Sequence, residues 1–307
     1  MILLLIKLLL LSVLSPLCVG IVRKVKALMQ NRKGAGITQP YSDLWKLLHK
    51  DEVVSKDASW IFLITPFIIF GISILVLGAV PMFGQMETYS PLGDFLVVIY
   101  LLATATFFLA LAGIDTGSAF GGFGSSREMT LAALTEGVLI FAVLPVAFLT
   151  HTTNLAFMTI AASQIPVTAY FPLITAFLGY MIALFSETGR IPFDNPATHL
   201  ELTMIHEAMI LEYSGKRLAL LEWANANKMF FFVLLGVNIF FPSAFTLHGG
   251  FIAIFLAFII SIIKAILFLI VIAVVESVIA KYRFFRLPDI LLTGFIFTII
   301  ALIAITI

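Results

Sequence analysis

Charged residues are scarce in this chain of 307 residues: Asp, Glu, Lys and Arg make up only 11%, whereas 61% of the residues are hydrophobic. A soluble domain usually carries about 25% charged residues, so the chain lacks the polar side chains that would cover a water-exposed surface. The 18 Lys and Arg residues nearly balance the 17 Asp and Glu residues, which excludes a basic nucleic-acid surface and an acidic disordered tail. The composition therefore indicates an integral membrane protein in contact with a lipid bilayer.

Cysteine is almost absent, since Cys18 is the single one in the sequence. One cysteine cannot form an intrachain disulfide, an Fe-S cluster or a thiolate zinc site. We therefore expect no metal or other cofactor bound by this chain, and any redox metal to lie in a partner.

Long apolar runs are abundant, and eight of them reach the roughly 20 residues that span a bilayer core about 30 Å thick. They lie near residues 2–22, 58–82, 92–114, 129–150, 166–186, 228–247, 250–277 and 288–307. The prediction is an all-α integral membrane protein that forms a single polytopic domain over residues 1–307. Its long cytoplasmic loops are expected at about 23–57, 115–128, 187–227 and 278–287.

The Lys and Arg residues predict the orientation, because cytoplasmic loops carry an excess of them. Apart from Lys7 and Lys264, which lie inside predicted spans, they all fall in the loops just named or at their edges. The intervening loops near 83–91, 151–165 and 248–250 contain none. We predict a multi-pass protein of the cell (inner) membrane with both termini outside.

Two of the predicted loops have recognisable patterns. In residues 41–48 the apolar positions fit a short amphipathic helix at the membrane interface, although a basic loop beside lipid head groups needs no further function.

Residues 113–128 are rich in glycine, which permits close backbone approach. They lack the Gly-Lys-Ser or Gly-Lys-Thr of a phosphate-binding loop, so a tight turn back into the membrane is the favoured interpretation.

Carboxylates and histidines are concentrated in the third loop. They are Glu187, Asp194, His199, Glu201, His206, Glu207 and Glu212. A zinc protease motif is excluded, because Ile210 stands where the second histidine would be. Neighbouring carboxylates that are partly desolvated raise one another's pKa, which suits proton relay near neutral pH. The alternative is an acidic helix that faces solvent or a partner.

Four ionisable residues lie at membrane depth in the predicted spans, away from the first residues of each span, where such groups are costly and are candidates for function. They are Lys7, Glu136, Lys264 and Glu276. Glu276 lies close enough to the predicted cytoplasmic end to reach the interface by snorkelling. Lys264 lies near the middle of its span and must face a polar interior, pair with a carboxylate or lose its proton.

Four ordered motifs carry a family resemblance. They are Gly-x-x-Gln-Pro-Tyr-x-Asp-x-x-Lys-Leu-Leu at residues 36–48, the glycine-rich stretch 113–128, Glu-Thr-Gly-Arg-Ile-Pro-Phe-Asp at 187–194 and Glu-Tyr-Ser-Gly at 212–215. The chain resembles the respiratory complex I subunit 1 family over essentially its whole length. It is similar to the membrane-bound hydrogenase branch, which includes formate hydrogenlyase subunit 4 and hydrogenase-4 component C. Ala197, Thr198 and His199 interrupt the acid-rich run that is typical of complex I members, so the resemblance argues against quinone reduction at this subunit.

The resemblance implies a helical anchor that docks a peripheral electron-transfer arm and relays charge for proton or sodium translocation, with no catalytic residue of its own. The implied relay residues are Glu136, Glu187, Asp194, Glu201, Glu207, Glu212, Lys264 and Glu276. The implied docking residues are Arg32, Lys33, Asp43, Lys46, Arg127, Glu128, Arg190, His199 and His206.

The implied partners are hydrogenase-like large and small subunits, Fe-S proteins and antiporter-like membrane subunits, which would carry the Fe-S clusters and in some cases a nickel-iron site. A quinone-site subunit of a complex I-type oxidoreductase, a purely structural anchor and a lone transporter remain as alternatives.

Overall fold

The computed structural model is helical, and it describes residues 2–81, 91–165, 170–195, 204–242 and 250–306. Eleven α-helices are found in these residues: α1 Ile2–Met29, α2 Gln39–Leu48, α3 Trp60–Ala79, α4 Phe95–Asp115, α5 Ala119–Thr150, α6 Leu155–Ala162, α7 Tyr170–Glu187, α8 His206–Ile210, α9 Gly215–Phe240, α10 Gly250–Val278 and α11 Leu287–Thr306. Short 3₁₀ turns at Pro91–Gly93 and Phe284–Arg286 precede α4 and α11.

Eight of these helices, counted over the described residues, are long and apolar enough to cross a membrane: α1, α3, α4, α5, α7, α9, α10 and α11. The predicted all-α membrane fold with eight spans is therefore confirmed. Two helices begin well before the predicted spans, because α5 starts at Ala119 rather than 129 and α9 starts at Gly215 rather than 228. Glycines and charged residues fill these first turns, so hydropathy alone misses them.

Helix α9 forms the centre of the bundle and is the most buried of the eight long helices. It contacts α1, α3, α7 and α10, whereas α5, α7 and α11 pack together on one side and α3 with α4 on another. Inside the bundle, Asn227 of α9 accepts a hydrogen bond from Ser15 of α1 (2.6 Å) and donates one to Ser73 of α3 (3.0 Å). These bonds fix the rotation of α9 about its axis, because an unpaired amide in an apolar interior is costly.

Loops from distant parts of the chain meet on one face of the bundle, where α1, α4, α7 and α10 end and α3, α5, α9 and α11 begin. We call it the charged face; it comprises the described residues 30–59, 116–118, 188–195, 204–214 and 279–286. Ser59 N donates to Asp115 Oδ2 at 2.7 Å, and Arg217 pairs with Glu52 at 2.6 Å. The amphipathic helix predicted in the first loop is present as α2, which packs on α1 and α9.

The glycine-rich stretch is mostly helical, which corrects the predicted loop over 115–128. Only residues 116–118 form a turn, where Gly117 has a φ of +65° and the Ser118 side chain accepts a hydrogen bond from Gly121 N to begin α5. A Cβ on Gly121 would lie 2.1 Å from the Gly113 carbonyl oxygen. The glycines therefore let α4 and α5 approach closely, as small residues do between membrane helices.

The glycine contact predicts different effects at two adjacent positions. Gly121→Ala is expected to destabilise the protein by about 1–3 kcal/mol, because the new methyl group collides with backbone on α4. Gly122→Ala is the matched control, since a Cβ there meets no atom within 4 Å and should raise stability slightly through helix propensity. Thermal unfolding in detergent measures both; equal melting temperatures would contradict the close approach.

Candidate functional site

A buried ion-pair triad joins three elements below the charged face. Glu276 of α10 is 4% exposed, and its two carboxylate oxygens contact Arg190 Nη1 and Lys26 Nζ, each at 2.7 Å. The Arg190 guanidinium also donates to Met229 Sδ at 2.7 Å. Glu276 therefore lies inside the protein and does not snorkel, and its charge is compensated by α1 and by the loop after α7.

Asp194 organises the loop that follows α7. It is 2% exposed, Lys281 Nζ lies 2.9 Å from its Oδ1, and its Oδ2 accepts hydrogen bonds from the backbone N–H groups of Ile205 and His206 at 3.1 Å each. Its side chain thus holds the start of α8 against the loop between α10 and α11. Asp194 and Lys281 are a structural pair at the centre of the charged face.

A third pair lies between α7 and α9, where Lys228 Nζ contacts Glu187 Oε2 at 2.7 Å. Glu136 is half-buried on the neighbouring helix α5. Glu187 and Lys228 are the charged groups that act on it. Thr135 beside it hydrogen-bonds Ser186 of α7 at 2.6 Å. The α5–α7 contact therefore brings Glu136 under the electrostatic influence of the Glu187–Lys228 pair.

A polar cavity of about 170 Å³ lies between α1, the loop after α7, α8, α9 and α10. Its charged and polar lining residues are Arg23, Lys26, Thr188, Arg190, Asp194, His206, Glu207, Glu222, Asn225 and Glu276. Such a cavity has room for several water molecules and many groups to bind them. Eight of these side chains are ionisable.

A smaller inner cavity of about 50 Å³ lies on the other side of His206 and Asn225, which line both cavities. Its other polar lining residues are Ser73, Thr106, Glu128 and Lys228. Because Lys228 pairs with Glu187, the inner cavity leads from His206 towards the groups that act on Glu136. Two cavities in series thus lead from the charged face to Glu128 in the first third of α5.

The carboxylates fall into two classes. Glu187, Asp194 and Glu276 are ion-paired. By contrast, Glu207 and Glu222 in the polar cavity and Glu128 in the inner cavity have no hydrogen-bond or ion-pair partner among the described residues. Water in the cavities can solvate these three carboxylates, and they can change protonation without breaking an ion pair.

Burial, and then the nearby charges of Glu222 and Asp194, raise the pKa of Glu207 to about 7, and Arg23 opposes the shift. Burial lowers the pKa of His206 to about 4, with a further lowering by Lys228 that Asp194 opposes. Near neutral pH the imidazole of His206 is therefore uncharged, with one nitrogen that donates and one that accepts. Glu207 exchanges its proton in the same pH range.

Most residues with a predicted docking role lie on the charged face. Arg32, Lys33 and Lys46 are exposed, and Asp43 lies 3.8 Å from Arg23. Arg127 donates to the Met204 carbonyl at 3.2 Å and stacks on the Phe284 ring at 5.6 Å. Arg190 and His206 belong to the charged face and also line the polar cavity, whereas Glu128 of α5 lines the inner cavity.

Several predicted residues lie apart from the cavities. Lys264 donates to the Phe241 carbonyl at 2.8 Å, at the C-terminal end of α9, where a cation is favoured by the helix dipole. Glu212 is exposed and lies beyond the end of α8 at Ile210. Lys7 is buried, and His199 and Glu201 lie outside the described residues.

Glu222 is the functional candidate that the sequence reasoning missed. It lies on the first half of α9, in a segment predicted to be loop. The run Leu218–Leu221 and the apolar periodicity that follows would have indicated an earlier start of the helix. A carboxylate inside a membrane-spanning helix would then have been apparent.

This geometry defines a class of protein: a polytopic membrane bundle whose charged face leads through two cavities to buried carboxylates. The family model described as NADH dehydrogenase matches residues 1–307. The chain belongs to this family, and the predicted membership of the complex I subunit 1 family is confirmed.

Two curated relatives of the hydrogenase type are similar to nearly the whole chain. Formate hydrogenlyase subunit 4 of Escherichia coli (strain K12) is 33% identical over 304 residues, 98% of this chain and 97% of the relative. Hydrogenase-4 component C of the same strain is 33% identical over 93% of this chain and 89% of the relative. The fold is shared with a solved structure, a chain of the membrane-bound sulfane sulfur reductase, which is an archaeal respiratory membrane complex. The TM-score is 0.84 at 22% identity, and the match covers 98% of both chains.

The buried triad predicts a large loss of stability when its carboxylate is neutralised. Glu276→Gln is expected to cost about 3 kcal/mol, because the partly buried Arg190 and Lys26 then lose their counter-charge. Asp43→Asn is the matched control, since the Asp43–Arg23 pair has side chains 44% and 57% exposed and such pairs contribute about 0–1 kcal/mol. Thermal unfolding in detergent compares the two, and a similar small loss in both would contradict the triad.

Glu207 should titrate near neutral pH. Because its pKa is raised to about 7, a protonated-carboxyl infrared band is expected at pH 5 that disappears as the pH rises through about 7. The band should lose the contribution of one carboxyl in Glu207→Gln and stay unchanged in Glu212→Gln, which neutralises an exposed carboxylate outside the cavity. A titrating band of unchanged intensity in Glu207→Gln would exclude this assignment.

Proposed function

We propose that this chain is the membrane anchor and ion-coupling subunit of a complex I-like energy-converting complex of the hydrogenase or formate hydrogenlyase type. The observation that carries the proposal is the series of two cavities with unpartnered carboxylates, which leads from the charged face to Glu128 and Lys228. Lys228 in turn acts electrostatically on Glu136. The 33% identity to formate hydrogenlyase subunit 4 over nearly the full length supports it.

Coupling is electrostatic in this proposal. When a docked partner transfers electrons, the charge near the face changes, and the unpartnered carboxylates respond because like or opposite charges shift their pKa values. Glu207 is suited to the first step, since its pKa of about 7 lets it gain or lose a proton at neutral pH. His206, neutral and between the cavities, passes the proton on towards Glu128.

Lys228 connects the inner cavity to the relay. It pairs with Glu187, and it is the largest nearby charge acting on Glu128. When Glu128 or Glu187 is protonated, its attraction for the Lys228 ammonium group weakens. The ammonium group then moves towards the carboxylate that is still charged. In this way a proton on the cavity side alters the field at Glu136 and drives proton or sodium transfer further into the membrane.

The exposed basic loops are the proposed docking surface for the peripheral arm. Arg32, Lys33 and Lys46 present positive charge there, and complementary charge steers association. The partners we propose are hydrogenase-like large and small subunits, Fe-S proteins and antiporter-like membrane subunits. These partners would hold the Fe-S clusters and any nickel-iron site, because one cysteine gives this chain no thiolate set.

Orientation follows from the same proposal. The charged face carries the excess of Lys and Arg and would lie in the cytoplasm, with both termini outside the inner membrane.

Glu136→Gln tests the relay in the intact complex reconstituted into liposomes. Ion translocation per electron is expected to fall by about a hundredfold, because a positioned proton carrier is lost, while the complex still assembles. Glu212→Gln is the control and should translocate like the wild type. Normal translocation by Glu136→Gln would favour a purely structural anchor.

Purification of the tagged chain from its native membranes tests the assembly. Co-purification of a large-subunit homologue, Fe-S proteins and antiporter-like subunits, with hydrogen evolution from a low-potential donor, is the expected result. Activity that depends on added quinone would instead favour a quinone-site subunit, and a stable chain without partners would contradict the proposal.

A further inference from the structure

A third cavity, which we call the side cavity, lies beneath α2. It has a volume of about 200 Å³ and is lined by Pro16, Val19 and Arg23 of α1, by Pro40, Asp43, Leu44 and Leu47 of α2 and by Glu222 and Ala226 of α9. Its α2 wall is mainly apolar, as expected of an amphipathic helix that turns one face to the bundle. The side chains of Arg23 and Asp43 at its edge are 57% and 44% exposed, so the side cavity reaches the protein surface.

Four residues line both the side cavity and the polar cavity: Val19, Arg23, Glu222 and Ala226. Val19 and Arg23 are one turn apart on α1, and Glu222 and Ala226 are one turn apart on α9, so each pair lies on one helix face. Because α1 packs on α9, the two pairs lie between the side cavity and the polar cavity, and we call this junction the constriction. One level of it is small and apolar and the other is charged.

The charged level determines what can pass. The Glu222 carboxylate has no hydrogen-bond or ion-pair partner in the described part of the chain, and Arg23 and Asp43 are the charges that act on it. An apolar molecule in the constriction would strip water from a carboxylate and a guanidinium, which is costly. Water, by contrast, solvates both groups and lets a proton reach Glu222.

We propose that protons enter the polar cavity from the membrane surface through the side cavity beneath α2, and that Glu222 is the first carboxylate they reach. From Glu222 the proton passes to Glu207. The two carboxyl groups are close enough for the charge of Glu222 to act on Glu207. This inference rests on the proposed coupling function, but the route itself is a physical property of the chain that can be measured without turnover.

Cysteine accessibility in native membranes tests the route. The buried Cys18 is first replaced by Ala, so that Ala226→Cys introduces a single thiol at the constriction. A small, permanently charged methanethiosulfonate reagent should label it. Adding Leu44→Trp, which fills the side cavity, should slow labelling by about tenfold, because a thiol reacts only where the reagent reaches it.

Ser42→Trp is the matched control, since Ser42 is exposed on α2 and does not line the side cavity. Labelling that Leu44→Trp leaves unchanged would overturn the side route, because the reagent would then enter by another path. Reaction with lipid-soluble reagents only would overturn it as well, since the constriction would then exclude water.

Glu222→Gln in the reconstituted complex tests the acceptor. Ion translocation per electron should fall by about tenfold or more, because the first proton carrier is missing, while labelling at the constriction stays unchanged. If Glu136→Gln abolishes translocation and Glu222→Gln does not, the side entry is wrong and the coupling function stands. If neither variant changes translocation, the coupling function itself fails.

Discussion

The membrane sets the constraint on which this structure depends, because a charged side chain in an apolar interior must be paired, hydrated or held at a helix end. The chain uses all three solutions. Glu276 is paired twice, Glu207 and Glu222 face a cavity, and Lys264 donates to the end of α9. Each solution fixes a different function for the side chain that uses it.

Paired carboxylates are poor proton carriers, because protonation would leave a buried cation without its counter-charge. Glu276 and Asp194 therefore serve the architecture, and each joins elements that are far apart in sequence: Arg190 and Glu276 are separated by 86 positions. The carboxylates that face cavities can exchange protons at a smaller cost. A single acid-rich face thus contains a rigid frame and a titrating path, and the ion pairs distinguish them.

The sequence predicts the eight spans well, because hydropathy is a local property and each run is long. It also predicts α2, whose apolar spacing is clear, and it places the carboxylates near one another. It does not predict which of them are paired, since Lys26, Arg190 and Glu276 meet only through the packing of α1 and α10. Glu222 and Asn225 are missed for a different reason: the polar first half of α9 reads as a loop.

Helix α9 explains why the cavities lie where they do. Glu222, Asn225, Ala226 and Met229 line the polar cavity, whereas Leu221, Ala224, Asn225 and Lys228 line the inner cavity. These sets follow helical periodicity on two adjacent faces, and Asn225 lies at their boundary. A rotation of α9 by a fraction of a turn would merge the cavities or separate them. The hydrogen bonds of Asn227 to Ser15 and Ser73 resist such a rotation. The same buried amide that stabilises the bundle therefore keeps the polar and inner cavities adjacent but distinct, with His206 between them.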